Sequence, residues 1–285
     1  MAERGLGRLP TEAAAHVRAL ADGTATPAQP RHASTVVLLR DHADGMQAYL
    51  LRRTRTMAFA AGMYVFPGGS VDPRDETLSD AAWAGPPPAA WSALLSADEA
   101  LTKALVCAAV RETFEESGVL LAGAGPDDVV ADTTGEDWET DRAALVDHSL
   151  SFAAMLDRRG LMLRADLLRP WAHWITPEVE PKRFDTRFFV AALPTGQRTR
   201  DVGGEADRVA WVRPADALAA ADSGEMGMLP PTAFTLSELA TYDGVDAVLA
   251  AGTARDVKPV LPKIVLGDDD EARLLLPHDA DYPSQ

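Results

Sequence analysis

Arg111-Glu112-Thr113-Phe114-Glu115-Glu116-Ser117-Gly118-Val119 closes a helical pattern that begins near Ala100. Leu101, Leu105, Ala108, Ala109 and Phe114 recur at helical spacing, which predicts a helix over 100–117. Ser96 with Glu99 three residues on forms a candidate capping box, and Gly118 is a stop. On that helix Glu112 lies three residues from Glu115 and four from Glu116, so all three carboxylates crowd one face. Each like-charged pair destabilises a bare helix by about 0.2–0.5 kcal/mol. They also stand at the C-terminal end, where the helix dipole disfavours anions. Two readings account for this: a solvated acidic face paired with Arg111 and Lys103, or a site for a hard divalent cation. Mg²⁺ and Mn²⁺ take oxygen ligands in octahedral arrangement and would relieve the repulsion.

Upstream, Tyr64–Phe66 reads as a strand that Pro67-Gly68-Gly69 ends in a tight turn. Together these residues resemble the Nudix signature, Gly-x5-Glu-x7-Arg-Glu-U-x-Glu-Glu-x-Gly-U with U apolar. Arg111, Glu112, Phe114, Glu115, Glu116, Gly118 and Val119 match its second half, and Gly69 matches its opening glycine. The spacing departs from the family: Arg111 follows Gly69 by 42 positions instead of about 14, so about 28 residues are inserted. Lys103 stands eight before Arg111, where the signature has Glu. Asp75 falls at the family's distance after Gly69, with Glu76 and Glu99 as other stand-ins.

An interrupted box of this kind resembles the type 19 coenzyme A diphosphatase-like branch. The similarity continues through Trp174-Ile175-Thr176-Pro177, Arg183-Phe184-Asp185-Thr186-Arg187-Phe188-Phe189 and the segment from Pro230-Pro231 to Ser237-Glu238-Leu239, and covers roughly residues 34–277. Leu50-Leu51, Arg53, Gly62 and 66–69 fit the related coenzyme A-binding spacing, but Ala58 stands where that pattern has Arg.

The resemblance implies an α+β fold, a Nudix-type α/β/α sandwich with a mixed β-sheet, carrying an insertion within the box. It implies hydrolysis of a diphosphate linkage in a nucleoside-diphosphate derivative, coenzyme A or acyl-coenzyme A first. ADP-ribose, dinucleoside polyphosphates and nucleotide sugars are the alternative substrates, and a non-catalytic nucleotide-binding regulatory domain is the alternative of another class. It further implies Mg²⁺ or Mn²⁺ as cofactor, with Glu112 and Glu116 as principal ligands and Glu115 as a direct or water-mediated one. Arg111 is expected to anchor a box carboxylate by a bidentate ion pair, with a phosphate contact as the alternative. Glu205, in Gly203-Gly204-Glu205, is the candidate general base, against a plain surface-loop acid. Gly68 and Gly69 are expected at the substrate. Alternation places Arg183, Asp185 and Arg187 on one strand face, where the two arginines either reach phosphates or pair with Asp185. Arg53 carries a similar choice.

Composition is that of an ordinary globular protein and bounds its partners. The chain has 285 residues, a hydrophobic fraction of 47% and a formal net charge of −16. Such an acidic surface repels polynucleotides and anionic membranes, so neither is expected as a partner; a small anion can bind only through a locally positive or metal-loaded pocket, and the resemblance implies a small diphosphate. The one cysteine, Cys107, excludes a disulfide framework and reads as core packing. The six histidines are scattered, which gives no support to a His metal site or a Ser-His-Asp triad. No signal sequence and no apolar run of 18 residues is evident, so the expected location is cytoplasmic.

Residues 1–33 read as a partly flexible lead-in with a short helix over Thr11–Ala21, 34–266 as the Nudix domain with its insertion at about 73–99, and 267–285 as an acidic turn, final strand and tail. Further strands are expected at Ser34–Arg40, Gln47–Arg53, Trp171–Ile175, Thr186–Leu193 and Arg208–Val212, and a final hairpin from Val260–Leu266 and Ala272–Leu276. Helices are expected over Ala143–Arg158, Pro214–Ala221 and Pro231–Tyr242. In the insertion, Trp83, Trp91 and the Pro86–Pro88 run suggest a lid or a dimer contact, and a homodimer stays open.

Overall fold

The computed structural model describes residues 5–55, 60–200, 206–267, 271–277 and 279–282. The chain divides into two compact units, one of residues 33–172 and 187–257, the other of residues 1–32, 173–186 and 258–285.

The larger unit is built on a sheet whose strands run in the order Ala206–Val212, Gln47–Arg53, Arg31–Arg40, Phe184–Ala192, Arg169–Ile175. Val36, Val37, Leu38 and Leu39 are all fully buried, as in a central strand covered on both faces. Two short strands extend the ladder: Tyr64–Val65 pairs with Gln47–Arg53, and Gly68–Ser70 pairs with Arg31–Arg40 in the register Ser34↔Gly69 and Thr35↔Gly68. The Ser34 hydroxyl donates to the Leu105 carbonyl at 2.6 Å, tying this strand to the long helix Glu99–Ser117. Every residue from Ala104 to Val110 is fully buried, so the middle of the helix is apolar all round.

The insertion is part of the core. It runs from a 3₁₀ turn at Pro73–Thr77 through a second at Asp80–Ala82 to the helix Pro88–Leu95. Leu78, Trp91 and Leu95 join the cluster formed by Val106, Val110 and Phe189, and the Trp91 ring stacks on Phe189 with centroids 6.1 Å apart. Burial takes Trp91 away from a lid or dimer contact. Trp83 keeps part of its surface and donates its indole N–H to the Pro86 carbonyl.

Several element bounds differ from the sequence reading by a few residues, the strand expected at Val260–Leu266 is two, Pro259–Val260 and Lys263–Leu266, and three differences concern the helices. Ser96 does not cap the long helix. It ends the preceding one with φ 51°, and Asp98 is the cap, accepting from the Leu101 N–H at 2.8 Å. The helix expected over 143–158 is two helices, Glu136–Val146 and Phe152–Arg159, parted where His148 takes φ 62° and Ser151 starts a new cap. A helix at Val245–Thr253 was not expected; Gly252 lets it approach Arg169, whose Cβ lies 2.7 Å from where a side chain would begin.

The smaller unit contains the helix Thr11–Ala21 and a sheet in the order Gly5–Arg8, Glu271–Leu275, Lys263–Leu266, the last two antiparallel. The acidic turn between them falls partly outside the described residues. Pro259–Val260 pairs in parallel with His173 and Trp174. The similarity motif around Thr176 is a brace within this unit: its N–H donates to the Phe184 carbonyl, and its hydroxyl accepts from the Phe184 N–H. Among the described residues no helix is long and apolar enough to cross a membrane.

Candidate active site

The last turn of the Glu99–Ser117 helix meets the Gly68–Ser70 strand, and the glycines there permit the approach. A Cβ on Gly69 would lie 2.5 Å from Glu112 Oε1, and a Cβ on Gly68 would lie 2.5 Å from the Ser34 carbonyl. Gly68 donates its N–H to Glu116 Oε2 at 2.8 Å. Two of the three box carboxylates thus border the glycine turn, although 42 positions separate Gly69 from Arg111 in sequence.

Arg111 organises the rest. Its Nε and Nη2 donate to the two oxygens of Asp75, each at 3.0 Å, and Nη2 also donates to the Ser70 carbonyl. Its Nη1 donates to Glu112 Oε1 at 2.8 Å and to Glu115 Oε1 at 3.1 Å. The bidentate partner is therefore Asp75, the residue at the family's distance from Gly69, delivered by the first turn of the insertion. Asp72 caps that turn: it accepts from the Arg74 N–H and donates its own N–H to Asp75 Oδ2. The Arg74 guanidinium holds the Asp72 carboxyl well below the usual carboxylate range.

Three carboxylates share this one guanidinium, and all are largely withdrawn from water. Burial pushes the Glu112 carboxyl up to about 7, the neighbouring Glu115 and Asp75 push the same way, and Arg111 opposes them. Glu115 is also raised by burial against the pull of Arg111. Arg111 itself is desolvated, but Glu112, Asp75 and Glu115 more than offset this and hold its proton more firmly. Cys107 is fully buried, and burial pushes its thiol up, which suits packing and not nucleophilic attack.

The donor chemistry and charge of this cluster fit a divalent cation. The oxygens are hard ligands, and one guanidinium leaves the group anionic. Among the described residues no three such side chains already converge as a ligand set. Arg111 and the Gly68 N–H occupy oxygens of Glu112, Glu115 and Glu116.

The helix exit is also built with care. Gly118 takes φ 73°, and a Cβ there would lie 2.5 Å from Arg200 Nη1. The buried Arg142 donates Nη1 to the Glu115 carbonyl at 2.9 Å and forks Glu139 through Nε at 3.0 Å to each oxygen. Arg200 donates its backbone N–H to the Ser117 carbonyl at 3.1 Å and Nη2 to Glu139 Oε2 at 3.2 Å. Arg142, Glu139 and Arg200 carry no sequence signal of this role: they lie 27, 24 and 85 positions from Glu115 in no pattern.

Arg187 is 2% exposed and donates to the Leu95 and Ser96 carbonyls, so a helix end and not a phosphate takes these donors. Arg183, in the smaller unit, is buried and donates to the Thr176 and Ala28 carbonyls. Asp185 shares a hydrogen bond of 2.5 Å with His173 Nε2, and its other carboxylate oxygen lies 3.4 Å from His32 Nδ1. Arg53 ends the Gln47–Arg53 strand, where its N–H donates to the Met63 carbonyl at 3.0 Å. Glu205 and Ala58 lie outside the described residues.

The chain is similar to known proteins in sequence and in fold. The family described as the NUDT19 Nudix domain matches residues 89–239. A NUDIX hydrolase from Alicyclobacillus acidocaldarius has a crystal structure that superposes with a TM-score of 0.68 at 30% identity, over 81% of this chain and 99% of that one. The human protein named acyl-coenzyme A diphosphatase NUDT19 is 28% identical over 82% of this chain and 72% of its own length. The Xenopus laevis protein of the same name is 26% identical over 69% of this chain. The chain spans 62% and 60% of the lengths of the curated Caenorhabditis elegans and Xenopus laevis relatives it matches. Carrying both halves of the box in one site, on a fold shared at this identity, the chain belongs to the Nudix hydrolase family, in its NUDT19 branch.

Proposed function

We propose that the protein hydrolyses a diphosphate linkage, with coenzyme A or acyl-coenzyme A as substrate and Mg²⁺ or Mn²⁺ as cofactor. One observation carries the reading: a buried group of carboxylates around a single guanidinium, set against a glycine turn. Glu112, Glu115 and Glu116 would hold the metal, which when bound neutralises diphosphate charge and acidifies a water.

The chain's own residues do the positioning. Arg111, itself fixed by Asp75, sets the side chains of Glu112 and Glu115. The Gly68 N–H sets Glu116. Gly68 and Gly69, lacking side chains, let Glu112 and the neighbouring strand close on the turn, and with Arg53 they are assigned to the substrate's phosphates. Phosphoryl transfer depends more on such placement and charge balance than on covalent help. Glu205 is assigned as the base that takes the proton of the attacking water. Arg183 and Arg187, committed to backbone carbonyls, are assigned to holding the chain in place.

The names of the human and Xenopus laevis relatives support the coenzyme A assignment. The test is a substrate panel with Mg²⁺ or Mn²⁺: coenzyme A, acyl-coenzyme A, ADP-ribose, a dinucleoside polyphosphate and a nucleotide sugar. Release of 3′,5′-ADP with a phosphopantetheine product is expected. Turnover of another panel member with coenzyme A untouched overturns the substrate assignment.

A further inference from the structure

The sequence poses a conflict that the box residues alone do not resolve. Three glutamates occupy the last two turns of a helix, toward the end whose exposed carbonyls already carry partial negative charge. The structure places two cations there. Arg142 is only 8% exposed and cannot give up its charge, yet it spends one donor on the carbonyl of Glu115. Arg200 spends its backbone N–H on the carbonyl of Ser117, and its guanidinium covers Gly118. Both guanidiniums are tied to one carboxylate, Glu139, on the neighbouring helix.

We propose that Arg142 and Arg200, clasped by Glu139, are positioning residues that fix the final turn of the box helix, and with it the metal-binding carboxylates. The proposal rests on the metal-dependent reading above and deepens it. Neither arginine needs to touch substrate. Arg142 acts through the Glu115 backbone, and Arg200 acts through Ser117 and the seat over Gly118. Gly118 then has two reasons to be glycine: the left-handed exit, and room for a guanidinium where a Cβ would stand. Arg200 is further located by Tyr49, whose hydroxyl donates to its carbonyl at 3.4 Å. Gln197 binds the same exit through the Leu120 N–H and carbonyl, both at 2.8 Å. Residues that orient metal ligands from outside typically change metal affinity or activity by about 10–100-fold when replaced.

The test uses the full chain and the variants Glu139→Gln, Arg142→Met and Arg142→Lys. Three quantities are read: binding of Mn²⁺ alone by electron paramagnetic resonance, kcat and KM on the best panel substrate, and the metal-free melting temperature. Glu139→Gln and Arg142→Met are expected to weaken Mn²⁺ binding and lower kcat, each by about 10-fold, with KM nearly unchanged. Arg142→Lys is expected to recover part of both losses. A lower melting temperature with Mn²⁺ affinity and kcat intact means an ordinary structural contact and overturns the proposal. The Glu139 side chain is 47% exposed, so its replacement leaves a folded protein even if Arg142→Met does not. If the unaltered chain binds Mn²⁺ but cleaves no diphosphate, the functional reading fails and the Mn²⁺ titrations still decide the clasp. If the unaltered chain binds no Mn²⁺, both fall.

Discussion

Arg111 and Asp75 face each other through two N–H···O bonds of 3.0 Å, in a setting where their side chains are 8% and 2% exposed. They lie 36 positions apart, and the first turn of the insertion brings them together. Breaking a buried pair by removing one charge leaves the other stranded and costs about 3–5 kcal/mol. Asp75→Asn is therefore expected to lower the unfolding free energy by up to about that amount, less whatever Glu112 and Glu115 still give Arg111, and to lower turnover because Arg111 loses its anchor. Equilibrium unfolding alongside the substrate assay checks both.

Glu116→Gln separates chemistry from folding. The amide oxygen of Gln can still accept from the Gly68 N–H, so the melting temperature is expected to stay close to that of the unaltered protein. A ligand charge is lost, and kcat is expected to fall by about 10²-fold or more, since metal-assisted steps are worth several kcal/mol. Unchanged turnover would remove Glu116 from the site.

Gly69→Ala places a methyl group 2.5 Å from Glu112 Oε1, so either the strand or the carboxylate must shift. Misplacing a reacting group by about 1 Å can cost about 10²-fold in rate. A loss of that order in kcat is expected, with a smaller effect on Mn²⁺-free stability, read by steady-state kinetics and thermal melts.

The elevated Glu112 carboxyl gives the metal-free protein an unusual pH dependence. Its value rises from 4.5 to about 7 on folding, so between those pH values the folded chain holds a proton that the unfolded chain has released. Stability must then fall as pH rises through this window, by at most on the order of 3 kcal/mol. Glu115, also raised, acts in the same direction. Asp72, which is depressed, contributes above its ordinary range and is constant here. Melting temperatures from pH 5 to pH 8 in chelator are expected to decline, Glu112→Gln is expected to flatten the decline, and Mn²⁺ is expected to stabilise most at the alkaline end, where it no longer competes with a proton.

Trp91→Ala tests whether the insertion is architecture. The residue is buried and stacked on Phe189, so truncation is expected to cost about 3–5 kcal/mol. Deleting residues 80–96 is expected to prevent folding, not merely to alter KM. A soluble, cooperatively melting deletion variant would show the segment to be an appendage.

Much of this was legible in the residues themselves. The long helix, the Gly118 exit and the strand Gln47–Arg53 follow from periodicity and backbone chemistry. The crowding of Glu112, Glu115 and Glu116 follows from helical spacing. Asp75 could be named from its distance to Gly69, but its pairing with Arg111 could not, because nothing local dictates how an inserted segment folds back. Trp91 misled because an aromatic beside a proline run looks the same in sequence whether it faces solvent or a sheet. Ser96 misled because Asp98, two positions later, caps equally well and wins once Arg187 holds the Leu95 and Ser96 carbonyls. Arg142, Glu139 and Arg200 were invisible for the same reason as Trp91: their meaning lies in tertiary neighbours.

The folding-back of the Pro73–Thr77 turn carries a wider consequence. Both ends of the excursion are anchored to the same helix, one by the Asp75 fork on Arg111 and one by the Asp98 cap on Leu101. Lengthening a loop whose ends are already joined adds only a slowly growing entropic cost. Residues added at the exposed 85–87 turn would leave the carboxylates and the buried Leu78, Trp91 and Leu95 in place, and a search that demands fixed spacing between Gly69 and Arg111 would pass over such a chain.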